Sequence, residues 1–144
     1  MAAYPPLLKL ADAAAYRARF DSLYCAGAVT TFDGITVRFQ KRDFDHCFFE
    51  SSQRNRIKDT FSSLRAERLE WIALALQDAT ADRFQGWDRD SKTYDKTRRV
   101  TLVCGNYVVV IALTGTMSAR FITAYVADTP GTLAKLKTSP KWTR

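Results

Sequence analysis

One imidazole, His46, stands in the run Lys41-Arg42-Asp43-Phe44-Asp45-His46-Cys47-Phe48-Phe49, and the 144 residues hold no other histidine. Imidazole takes or gives a proton near neutral pH, so it suits general acid–base work. The charge around it is uneven. From position 98 to the end, seven bases (Arg98, Arg99, Arg120, Lys135, Lys137, Lys141, Arg144) face one acid, Asp128. That stretch carries +6 of the net +7, and residues 1–97 are nearly balanced. Excess base concentrates polyanions. A lone imidazole beside it points to phosphodiester chemistry. The plainer reading is a charge that keeps the chain in solution, and its clustering after residue 97 favours a partner instead.

RNA cleavage without a metal needs a base for the ribose 2′-OH, cations for the charge that builds on phosphate, and an acid for the leaving oxygen. With a single histidine, the second proton carrier must be a carboxylate, tyrosine, lysine or hydroxyl, or the substrate itself. The segment Arg120-Phe121-Ile122-Thr123-Ala124-Tyr125 reads as a strand. Strand alternation puts Phe121, Thr123 and Tyr125 on one face and Arg120, Ile122 and Ala124 on the other. Thr123 and Tyr125 then offer two hydroxyls in register, and Arg98 or Arg99 on a neighbouring strand offers a bidentate phosphate clamp. Each has a structural alternative: a packed histidine among Phe44, Phe48 and Phe49, strand propensity for the threonine and tyrosine, and exposed edge arginines.

Length and a hydrophobic share of 47% fit one domain, 1–144, with a core that needs no metal or disulfide. Cys25, Cys47 and Cys104 are widely spaced, with no Cys-x-x-Cys pair and no second histidine, so no metal site and no cofactor is expected. Cys47 adjoins His46, but in an extended segment their side chains diverge, which argues against a Cys–His dyad. No apolar run is long enough to span a bilayer and no signal precedes residue 10, so a cytoplasmic location and no membrane partner are expected.

The elements that must position these groups follow from periodicity. A helix is predicted over 9–25, stopped at Gly27. A hairpin follows over 28–39 around Asp33-Gly34, with Ile35, Val37 and Phe39 alternating against Thr36, Arg38 and Gln40. Ser51 and Ser52 can cap a long helix to about residue 77, with Ile57, Phe61, Leu64, Ile72 and Leu76 on one stripe. A short strand is placed at 83–87, then strands at 99–104 and 107–113 joined by Gly105-Asn106, and a last strand at 119–127. A short helix over 132–137 ends the pattern, within a C-terminal basic tail, 129–144. Helices before an antiparallel meander of about four strands make the fold class α+β.

Several of these runs resemble a known group. Asp45-His46-Cys47-Phe48-Phe49, the helix segment Phe61-Ser62-Ser63-Leu64-Arg65-Ala66-Glu67-Arg68-Leu69-Glu70-Trp71-Ile72, then Arg98-Arg99-Val100 and Phe121-Ile122-Thr123-Ala124-Tyr125 are similar to the phage-type branch of the barnase–EndoU–colicin–RelE nuclease superfamily. The resemblance covers about residues 35–128. It implies N-terminal helices on a four-stranded antiparallel sheet and metal-independent RNA cleavage. His46 would be the catalytic histidine, Thr123 the site hydroxyl, and Arg98 or Arg99 the phosphate-binding base. Val126 follows the Thr-Ala-Tyr run where related toxins often carry proline, which bears on the subfamily more than on the site. The expected function is thus an endoribonuclease of phage, mobile-element or toxin origin acting in a bacterial host cell. His46, Thr123, Arg99 and Tyr125 would be catalytic, with Arg42, Lys41, Arg98, Arg120 and Lys137 binding substrate. RNA, tRNA included, is the expected partner, and a toxin would also need an acidic immunity or antitoxin protein. The rival expectation is a non-catalytic phage accessory protein that binds nucleic acid or a host protein.

Overall fold

The computed structural model describes residues 4–51, 60–88, 92–127 and 129–142. Asp12 starts the first helix: its Oδ1 accepts from the Ala15 N–H at 2.9 Å, satisfying a donor that a helix start leaves orphaned. Helix α1 (Ala13–Phe20) then turns into a π-helical segment, Asp21–Cys25. The expected helix begins later than residue 9 because Leu8 and Leu10 stay extended, tied by their backbone to the Tyr16 hydroxyl at 2.6 and 3.1 Å. Tyr16, Phe20 and Tyr24 recur every four residues and are all buried.

Strands β1 (Ala28–Thr30) and β2 (Thr36–Arg38) form the expected hairpin, with Gly34 at φ +91° in the turn. Chain order then departs from expectation. The segment holding His46 is a helix, α2 (Arg42–Phe48), not extended chain, because Phe44, Cys47 and Phe48 share one buried helical face. The long helix over 51–77 is also replaced. Strands β3 (Phe49–Glu50) and β4 (Thr60–Phe61) pair with one another, and two short helices follow, α3 (Ser63–Ala66) and α4 (Trp71–Leu76). Pairing of Phe61 with Phe49 ends any helix there, and Ser62 rather than Ser51 or Ser52 caps α3. Leu64, expected on the buried stripe, is 46% exposed. Residues 52–59 of the expected helix, Ile57 among them, lie outside the described residues.

The C-terminal part builds β5 (Asp82–Asp88), β6 (Thr93–Cys104), β7 (Tyr107–Leu113) and β8 (Ser118–Val126). Gly105, at φ +64°, makes the two-residue turn that joins β6 to β7. These four strands are the antiparallel meander expected from the sequence. The sheet is nevertheless larger and mixed. Its order is β1-β2-β8-β7-β6-β5, because the N-terminal hairpin docks on the free edge of β8 through a parallel β2–β8 pair. The class is α+β.

The sheet separates two apolar layers. On one face, helices α1 to α4 pack against Val100, Leu102, Val109, Ile111, Ala119 and Phe121. On the other, Leu133 and Leu136 of α5 (Pro130–Lys137) pack against Phe84, Val103 and Val108. Residues after α5 are no free tail as far as position 142. Gln85 N donates to Pro140 O at 2.9 Å, Trp142 N donates to Arg83 O at 3.1 Å, and the Trp142 side chain is buried, so this stretch covers the β5 edge.

Phe20 ties together the layer under the helices. Its ring lies 5.4–6.5 Å from those of Tyr24, Phe39, Phe44, Phe48 and Phe121, which come from four separate segments. Phe20→Ala is expected to cost about 3–5 kcal/mol, read from the shift of the urea unfolding midpoint at unchanged slope.

Candidate functional site

The site forms where α2 lies along β8. Beyond Arg38, strand β2 ends and β8 continues without a strand partner on that side. Cys47 takes its place. The thiol accepts from Ala124 N and donates to Ala124 O, both at 3.3 Å. Burial pushes this thiol up to about 11, with the Ala124 backbone and then the Thr123 hydroxyl partly offsetting the effect. Cys47 is therefore a structural group held in its thiol form.

Burying Phe44, Cys47 and Phe48 turns the other side of α2 outward, so Arg42, Asp43 and His46 come together by helical spacing. With Arg120, Phe121 and Ile122 of β8 they line a cleft of about 380 Å³. His46 and Arg42 are exposed and Asp43 is half-buried. Burial raises the Asp43 carboxyl above its ordinary value. The hydrogen bond from Gln40 N at 2.8 Å and the positive charges of Arg42, His46 and Arg120 pull the other way. The cleft thus holds an imidazole, a carboxylate tuned upward and two guanidinium groups.

Strand β8 does not alternate as expected. Ile111 pairs with Phe121 and Val110 with Thr123, leaving Ile122 as the extra residue of a β-bulge. Phe121 and Thr123 consequently sit opposite adjacent residues of β7 and face opposite sides of the sheet. Phe121 enters the core under the helices, while Tyr125 packs with the α5 layer. This corrects the expectation that Phe121, Thr123 and Tyr125 share a face.

The expected site residues divide accordingly. His46, Arg42 and Arg120 meet in the cleft. Thr123 stands opposite Val110, on the other sheet face from Phe121, and does not line the cleft. The Tyr125 ring lies 5.9 Å from the Arg65 guanidinium carbon, and Arg65 is itself held by Cys47 O at 3.0 Å and Glu50 at 3.5 Å. Lys41 is exposed at the start of α2 and does not line the cleft. Lys137 is on α5, across the sheet from α2. Arg98 and Arg99 lie on β6, and their side chains fall outside the described residues. Asp43 was missed, although helical reading of 42–48 places it three residues before His46 on the same side.

No family model, curated protein or solved structure matches this chain. Among the described residues no helix is long and apolar enough to cross a membrane.

Asp43 links the site to stability. A carboxyl raised in the folded chain stabilises fully below the ordinary carboxylate range, and that contribution is lost as pH rises through the raised value. Asp43→Asn keeps the acceptor for Gln40 N and carries no charge. It is expected to be more stable than the parent at neutral pH, with the difference vanishing in acid, as urea unfolding at the two pH values would show.

Proposed function

We propose that this chain is a metal-independent endoribonuclease and that the cleft between α2 and β8 is its active site. The observation that carries this reading is the convergence of His46, Asp43, Arg42 and Arg120 on one cleft. In this mechanism Asp43 takes the proton of the ribose 2′-OH, and the 2′ oxygen attacks phosphorus. Arg42 and Arg120 hold the charge of the phosphorane. His46 gives its proton to the 5′ oxygen as the P–O5′ bond breaks. The products are a 2′,3′-cyclic phosphate and a 5′-hydroxyl end. An upward-tuned carboxylate is a stronger base than an ordinary one, which suits it to the first step.

The four-stranded meander β5 to β8 beneath N-terminal helices supports kinship with the barnase–EndoU–colicin–RelE group, with β1 and β2 as an addition to the sheet. Under that kinship the substrate is RNA, tRNA among the candidates. A toxin of phage or mobile-element origin would be silenced by an acidic protein that covers the cleft. A second reading, RNA binding without scission, is favoured by one observation: Thr123 and Tyr125 do not line the cleft.

Gel analysis of total RNA incubated with the pure protein and EDTA separates the two. Cleavage is expected, and His46→Ala should lower its rate by about 10²–10⁴ with folding retained. The rate should climb as pH rises through the titration of Asp43, which burial raises above its ordinary value, because the base must be ionised. Asp43→Asn should remove that rising limb. Full cleavage by His46→Ala would overturn the mechanism, and no cleavage by the parent chain would leave the binding reading.

A further inference from the structure

The ion pairs of the described residues show where positive charge is left over. Arg17, Arg19, Arg65 and Arg83 are each paired, with Asp45, Glu70, Glu50 and Asp33 in turn. Among the described residues, four arginines form no ion pair: Arg68, which donates to Leu64 O and lies over the Trp71 ring, and Arg38, Arg42 and Arg120. Arg42 and Arg120 line the cleft, and Arg38 adjoins it. In the parallel β2–β8 register Arg38 is the direct partner of Arg120, and both are exposed. Adjacent strands are about 4.8 Å apart, so the two arginines rise from neighbouring positions on one face. Like charges at directly opposed positions repel, and an anion between them relieves the repulsion.

The same row continues in the backbone. Arg120 pairs with Ala112, and Ala112 pairs with Arg99, so Arg38, Arg120, Ala112 and Arg99 stand side by side across four strands. Helix α5 covers the other end of this sheet face, where Val108, Val110 and Tyr125 lie. At the arginine end the face is open at Arg38 and Arg120. Arg120 belongs to both the cleft and the row, which makes the two positive surfaces continuous.

We infer that Arg38 and Arg120 form a second phosphate subsite, next to the cleft, that holds the phosphate neighbouring the scissile one on a single RNA strand. This rests on the reading of the cleft as an RNA site. A polyanion meets the geometry better than a lone anion, because one strand can bridge Arg42, Arg120 and Arg38 with successive phosphates. Arg38 has no part in bond cleavage and acts on affinity alone.

The test is fluorescence anisotropy of a short fluorescein-labelled single-stranded RNA, titrated at several salt concentrations in a His46→Ala background so that nothing is cut. Adding Arg38→Gln should weaken binding about tenfold. It should also flatten the log–log salt slope by about 0.7, the amount for one phosphate contact on a single strand. Arg19→Gln, which removes the same charge at a paired site, should change neither. In the chain with His46 intact, Arg38→Gln should slow cleavage of a longer RNA at subsaturating concentration far more than cleavage of a dinucleoside monophosphate, since the small substrate has no second phosphate.

Unchanged affinity and slope for Arg38→Gln would overturn the subsite, as would an equal loss for Arg19→Gln or equal competition by polyglutamate at matched charge. The two proposals fail separately. Weakened binding by Arg38→Gln with no cleavage by any variant keeps the subsite and removes the nuclease. Cleavage by the parent chain with Arg38→Gln binding normally does the reverse.

Discussion

Strand β8 runs for nine residues and β2 for three, so two-thirds of the β8 edge on that side has no strand to bond. Unpaired backbone groups in an apolar setting are costly, and something must satisfy them. The Cys47 thiol does so at Ala124, accepting from its N–H and donating to its carbonyl. That contact pins α2 to the sheet at one point. Phe44 and Phe48 then fix its rotation, since both are fully buried beside Phe20. Successive residues of a helix are about 100° apart, so once 44, 47 and 48 face inward, 42, 43 and 46 have no other place than the outer side beside Arg120 and Ile122. The cleft is a consequence of how this edge is closed.

The electrostatics of the molecule are sorted by place. Surface ion pairs contribute little each, so whether a given arginine is paired or unpaired changes stability only slightly. It changes the local potential greatly. Arg42 and Arg120 face Asp43, whose carboxyl burial nonetheless holds above its ordinary value, so the attraction does not outweigh the loss of water. The half-buried carboxylate of Asp43 lowers the stability of the folded chain once it ionises.

Much of the sheet was legible. Residues 107–113 have the bounds the β-rich run and Gly105-Asn106 turn imply, β5 and β8 have ends within one residue of expectation, and β6 starts at Thr93, six residues before the expected strand. Local chemistry decides those elements: strand propensity over several residues and a glycine able to adopt positive φ. The helical half was less legible because its elements are short. The run Phe44, Cys47, Phe48 is one helical turn of apolar spacing, but the adjoining Phe49 makes it read equally well as a strand. The stripe over 57–76 looked continuous because its spacing does not reveal that Phe61 pairs with Phe49 instead. The bulge at Ile122 has no local signature at all, and it alone reverses which β8 side chains share a face.

What the chain determined unaided was its α+β class, the four-stranded meander, the charge asymmetry and the identity of its one imidazole, because these depend on composition and nearest-neighbour pattern. Which groups stand beside that imidazole was decided only in three dimensions. Asp43 joins His46 through helix formation that depends on burying Cys47 against β8, and Arg38 meets Arg120 through a parallel pairing between segments some eighty residues apart. Thr123 and Tyr125 leave the shared face because one extra residue is accommodated opposite β7. Long-range packing, which no local window of sequence contains, therefore selected the partners of the site.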